Sequence, residues 1–176
     1  NTSVDINNKP CAFRYPRGTG VGVKLPSIDE KLEIGKGRLI KEGKKLAIIN
    51  FGARLKECLE ASENLKKKGI NISIMDARFS KPIDEKLIWE LATNHEAIIT
   101  IEEGSIGGFG SHVGQFLTDK NLLDNNLKYR SMILPDRFID HDNPELMYKY
   151  AGLDAKSIET KVLDTLNSKI IIKKTN

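Results

Sequence analysis

Three groups of residues in this 176-residue chain have types and spacing that could do chemistry. The first is Phe13-Arg14-Tyr15-Pro16-Arg17-Gly18. A guanidinium held behind a proline and before a glycine makes a phosphate hand: a planar fork of donors, a stiff approach, and no side chain in the way. On chemistry alone an ordinary surface turn with two arginines is the favoured reading of it. The second is the carboxylate pair Glu102-Glu103, followed by Gly104, Gly107, Gly108 and Gly110. Paired carboxylates suit acid–base work, and a glycine-rich loop suits phosphate. The glycine spacing is not the G-x-G-x-x-G dinucleotide pattern, however, and adjacent carboxylates repel an anion. A strand-end loop packed against a neighbouring domain or subunit fits the five residues Glu102, Glu103, Gly104, Gly107 and Gly108 better. The third is Asp76-Ala77-Arg78-Phe79-Ser80-Lys81-Pro82, where a buried ion pair fixing a loop is expected in preference to a ligand site. His95, His112 and His141 fall in separate loops or helix starts with no ligand-pair spacing, so no metal site is predicted.

The surrounding pattern says what must position these groups. Residues 1–9 are polar and Asn-rich, read as a tail and not as a signal peptide. Pro10–Tyr15 reads as a short strand stopped by Pro16, and a glycine-studded loop follows. Such a strand, isolated by a long connection, looks like the last strand of a preceding domain, with the boundary between about residue 24 and residue 33. Leu32–Ile40 reads as a short edge strand or hairpin arm. Apolar runs at Leu46–Phe51, Ile70–Met75, Ala97–Ile101 and Tyr129–Leu134 predict buried strands. Between them, Ala53–Lys68 has Leu55, Leu59, Ser62 and Leu65 at helical spacing and stops at Gly69. Asp84 caps a helix carrying Leu87, Ile88 and Leu91, a helix is expected near Ser111–Leu117, and Pro144 and Ala155 start the last two. Strands alternating with helices specify an α/β fold: a three-layer, open, mostly parallel sheet with helices on both faces. The organisation expected is a tail, strand and linker over residues 1–30, one domain over 31–168, and a polar tail over 169–176.

Composition narrows the function classes. The net charge is +4, with hydrophobic residues at 39% and charged residues at 30%. Lysine clusters at Lys66-Lys67-Lys68 and Lys173-Lys174 have no aromatics interleaved, so they read as a helix end and a tail and not as a nucleic-acid surface. No apolar run approaches the 18 or so residues of a membrane span. Cys11 and Cys58 have no ligand spacing and read as free thiols.

Glu102-Glu103-Gly104-Ser105-Ile106-Gly107-Gly108-Phe109-Gly110-Ser111-His112-Val113 resembles the last domain of the 1-deoxy-D-xylulose-5-phosphate synthases, the plant-type form in particular, within the thiamine-dependent transketolase family. Arg14-Tyr15-Pro16-Arg17-Gly18, Leu32–Arg38, Asp76–Pro82 and Leu134-Pro135-Asp136-Arg137-Phe138-Ile139-Asp140-His141 resemble further motifs of that family, in the same order. The resemblance implies the C-terminal domain with the end of the middle domain. It implies that Arg17 binds the phosphate of glyceraldehyde 3-phosphate, that Arg14 is structural, and that Thr19 stands where the family usually has Asn. It further implies a whole enzyme that condenses pyruvate with glyceraldehyde 3-phosphate, using thiamine diphosphate and Mg2+, as a homodimer in a plastid-type organelle. Neither cofactor is expected to bind this part alone, which lacks a Gly-Asp-Gly…Asn segment. Two other classes remain open: the β subunit of a 2-oxo-acid dehydrogenase, which should lack the two arginine motifs, and a free-standing α/β interaction module.

Overall fold

The computed structural model describes residues 1–16, 20 and 22–167. Arg17, Thr19 and the 169–176 tail lie outside the described residues.

Leu46–Phe51 (β2) and Ala97–Glu102 (β4) form the centre of a five-stranded sheet. Apolar on both sides, they can be covered only by helices on both faces, and alternation divides their side chains between two cores. Leu46, Ile48, Ala97, Ile99 and Ile101 face Leu55–Lys67 (α1) and Ala155–Asn167 (α5). Ala47, Ile49 and Ile98 face Glu85–Asn94 (α2) and Phe109–Asp119 (α3). The three-layer α/β architecture expected from the sequence is therefore the one observed.

Ser73–Asp76 (β3) and Lys128–Met132 (β5) flank the central pair in parallel, and Arg38–Lys41 (β1) closes one edge antiparallel to β3, giving the order β1-β3-β2-β4-β5. The chain leaves β2 for β3 on one side, then crosses to β4 and β5 on the other. The strand order thus reverses between β2 and β4, where Phe51 and Glu102 are the last paired residues.

Helix limits follow local chemistry. Asp84 accepts the Leu87 amide as the cap of α2, and Asn143 does the same for Leu146 at Pro144–Ala151 (α4). Gly69, at φ +78°, closes α1, with Lys66 and Lys67 in its last turn, where positive charge is favoured.

Pro10–Tyr15 has no partner strand among the described residues and lies without a ladder there. Of the two alternatives for Leu32–Ile40, the edge strand is the one observed and not the hairpin arm: β1 starts only at Arg38 and pairs with β3 in place of the next strand in sequence. Gly35, at φ +75°, and Gly37 explain the late start. A side chain at Gly37 would meet the Met75 methyl at 2.5 Å, so the segment lies flat on the end of β3 before it straightens. The Gly37 amide donates to Asp84 there, at 3.1 Å.

Candidate functional site

In an open α/β sheet, side chains at the carboxyl ends of the strands are exposed where the strand order reverses. Here those ends are Phe51 and Glu102, and alternation sends neighbouring residues to opposite faces. The predicted carboxylate pair is split in this way. Glu102 turns toward α3, and Glu103 toward α1 and α4.

Glu102 is 3% exposed. Its Oε1 accepts the Gly110 amide at 2.8 Å, at the first turn of α3. Gly104 and Gly108 wrap the other oxygen: a Cβ on either would lie 2.3 or 2.6 Å from Oε2. These glycines are there because the backbone must close around a carboxylate. Gly110 serves a second close approach, since its Cβ would sit 2.8 Å from Thr100 Oγ1. Its carbonyl accepts the Tyr129 hydroxyl, which also bonds Thr100. Burial raises the Tyr129 pKa, opposed by its Thr100 hydrogen bond, and keeps it a neutral donor.

Glu103 enters a separate network that sequence reasoning missed. Arg54, the residue before α1, is 9% exposed, although its position suggests a surface helix start. Its Nε lies 2.7 Å from Glu103 Oε1, an ion pair without hydrogen-bond direction. Its Nη1 lies 3.3 Å from Glu57, and the guanidinium stacks 3.5 Å above the Tyr148 ring of α4. The Tyr148 pKa is raised by burial, and next by the hydrogen bond with Glu103. Three elements distant in sequence are tied at one cation. Only the aromatic–acid–arginine combination of residue types could have signalled it, and no spacing marks it.

The described predicted residues divide as follows. Glu102, Glu103, Gly104, Gly107 and Gly108 come together at the end of β4. Asp76 and Arg78 form the expected ion pair, but at 3.9 Å it is not the nearest charge contact of Asp76. Asp76 is matched more closely to Arg38 at 3.0 Å, because the antiparallel register sets those two residues opposite each other. His95 is saturated by Ser73 Oγ and the Leu91 carbonyl, each at 2.8 Å, while His112 and His141 are exposed. Among the described residues no three His, Cys, Asp or Glu side chains converge as a metal site, and no helix is long and apolar enough to cross a membrane.

A cleft of about 1200 Å3 lies over this edge, between the sheet and residues 1–16. Phe51, Phe109, Glu102 and Arg78 line the sheet side, and Phe13 and Arg14 the arm side. Arg14 donates to the Glu103 carbonyl at 3.4 Å.

A protein-family model described as transketolase, C-terminal domain, matches residues 35–158. The chain belongs to the transketolase C-terminal domain family. Its solved neighbours include a split-gene transketolase, described as an inactive beta4 tetramer, at 30% identity and a TM-score of 0.71. That match covers 82% of this chain and 46% of the other. Transketolases from Campylobacter jejuni and Pichia stipitis share the fold at 14% identity and a TM-score of 0.55. Those matches cover 74% and 75% of this chain and 18% of each of the others. The chain thus spans less than half the length of these proteins.

Within this transketolase C-terminal domain, Cys58 is fully buried and its thiol is pushed up to about 12, by burial first and by Glu57 next, with Arg54 opposing. Thiolate is the reactive form. At pH 8 a maleimide is therefore expected to label exposed Cys11 and spare Cys58, with both reacting in denaturant. The linkage has a definite sign. The raised value adds stability below the ordinary thiol pKa, and that stability is lost as pH climbs toward 12. Mass spectrometry of the labelled chain checks the site, and prompt native labelling of Cys58 would contradict its burial.

Proposed function

We propose that this chain is the C-terminal part of a 1-deoxy-D-xylulose-5-phosphate synthase. The whole enzyme is a thiamine-diphosphate-dependent transferase that condenses pyruvate with glyceraldehyde 3-phosphate, with loss of carbon dioxide, in isoprenoid precursor synthesis. One observation carries the choice within the family: Arg14-Tyr15-Pro16-Arg17-Gly18 precedes the transketolase domain and Asp136-Arg137-Phe138-Ile139-Asp140-His141 lies within it. Family and fold alone fit the β subunit of a 2-oxo-acid dehydrogenase equally well, and only this motif pair favours the synthase.

In this reading residues 1–30 close the preceding domain and bring Arg17 to the substrate phosphate. The domain itself serves as structure and subunit surface in a homodimer. Ile106 at 80% exposure, on the glycine loop, supports a contact role, and so does the assembly of the split-gene relative into a tetramer. The plant-like Gly104–His112 run supports a plastid-type organelle as its location. Among the described residues no three His, Cys, Asp or Glu side chains converge, and the sequence has no Gly-Asp-Gly…Asn segment for a magnesium diphosphate. In this reading the remainder of the enzyme holds the cofactor and this part alone is inactive; the split-gene beta4 tetramer is likewise described as inactive.

Reconstitution tests the proposal. This chain and a separately produced amino-terminal remainder are mixed with pyruvate, glyceraldehyde 3-phosphate, thiamine diphosphate and Mg2+. Formation of 1-deoxy-D-xylulose 5-phosphate that requires both pieces is the expected result. Absence of that product, with the intact enzyme inactive as well, would remove the synthase assignment.

A further inference from the structure

Buried carboxylates in folded proteins are paired with cations or saturated with donors. The other acids at this sheet edge obey: Asp76 meets Arg38, while Glu57 and Glu103 share Arg54. Glu102 does not. It is the most buried of the four and no cation lies within 4 Å of it among the described residues. Its Oε1 is satisfied by Gly110, whereas Oε2 receives no hydrogen bond among the described residues and is not sealed from the cleft that Glu102 lines. The glycine shell makes this arrangement costly to alter, because a side chain at Gly104 or Gly108 would strike the carboxylate.

The surroundings narrow what that oxygen receives. Phe51, the register partner of Glu102, lines the same cleft, and its ring stacks 5.0 Å from the buried Phe109 ring. A flat group lying against Phe51 would present its edge to Oε2, and a cation there gains from the ring face as well as from the carboxylate. Mg2+ or Ca2+ would need about six oxygen ligands, which one carboxylate oxygen does not provide. The position, between the ends of the two strands where the order reverses, is where open α/β sheets admit small ligands.

We propose that the cleft at the ends of β2 and β4 binds a small planar cation, an amidinium or guanidinium, with Glu102 Oε2 as its acceptor and Phe51 as its stacking face. The site is independent of the synthase reading, since it uses neither Arg17 nor any residue given to substrate phosphate.

Titration of the full 176-residue chain with benzamidine, followed by amide resonances, tests it. Benzamidine is expected to shift the Gly108 and Gly110 amides with a Kd on the order of 1 mM. Benzamide, the neutral analogue, should bind at least tenfold more weakly. Glu102→Gln keeps the shape and one acceptor but removes the charge, and should weaken benzamidine at least tenfold. Phe51→Leu should weaken it severalfold, and it decides the matter if Glu102→Gln fails to fold. Saturable shifts that follow this order support the site. Equal shifts with benzamide, none tenfold above the expected Kd, or an unchanged Kd in folded variants would overturn it.

Discussion

Under the proposed synthase reading, Arg17→Ala in the full-length enzyme is expected to raise KM for glyceraldehyde 3-phosphate roughly 10- to 100-fold, with KM for pyruvate within about twofold. The magnitude follows from the loss of a charge-assisted hydrogen-bond pair to phosphate, worth about 1.5–3 kcal/mol. The asymmetry carries the test, because pyruvate has no phosphate and a general loss of fold would affect both substrates. Arg17→Lys should recover part of the loss, since an ammonium replaces the charge but not the planar fork. Equal effects on both substrates, or none, would sink the phosphate role.

The second large effect concerns stability. Arg54→Ala removes the cation that both Glu57 and Glu103 pair with among the described residues, leaves two partly buried acids facing each other, and strips the Tyr148 ring of its stacking partner. Removing one partner of a buried ion pair costs about 3–5 kcal/mol. The two acids keep side-chain exposures of 23% and 19%, which places this case near the lower end. Urea unfolding should show the midpoint falling at a nearly constant slope. Adding Glu103→Gln should recover part of the loss, because it removes the carboxylate that Arg54 neutralised. A loss below about 1 kcal/mol would mean that the network is better hydrated than its burial implies.

The alternation of apolar runs and amphipathic segments made the sheet and its covering helices legible. Leu46–Phe51 and Ala97–Glu102 can be nothing but central strands when both neighbours in each pleat are apolar, and Asp84 and Gly69 carry their capping chemistry in their types. The edge was harder to read. Arg38–Lys41 is polar enough to be loop, and its pairing with β3 depends on how Gly37 seats against Met75, a contact no local pattern encodes. The arm shows the limit from the other side: Pro10–Tyr15 has strand propensity but no partner strand among the described residues, and a strand exists only in its ladder. At the site, the sequence exposed the cluster of Glu102 and its glycines but not their roles. Glu102 and Glu103 look equivalent until the pleat sends one to α3 and the other to Arg54.

The two borders of the sheet also restrict how the molecule can associate. An exposed edge strand offers unpaired amides and carbonyls to any neighbouring chain, the first step of runaway β-aggregation. Here β1 is four residues long, breaks register between Leu39 and Lys41, and carries Arg38 and Lys41, while β5 at the far edge carries Lys128 and Arg130. Two copies approaching edge to edge would bring like charges together across a broken ladder. Any contact between copies is thereby left to side-chain surfaces, where it can stop at a defined number of subunits.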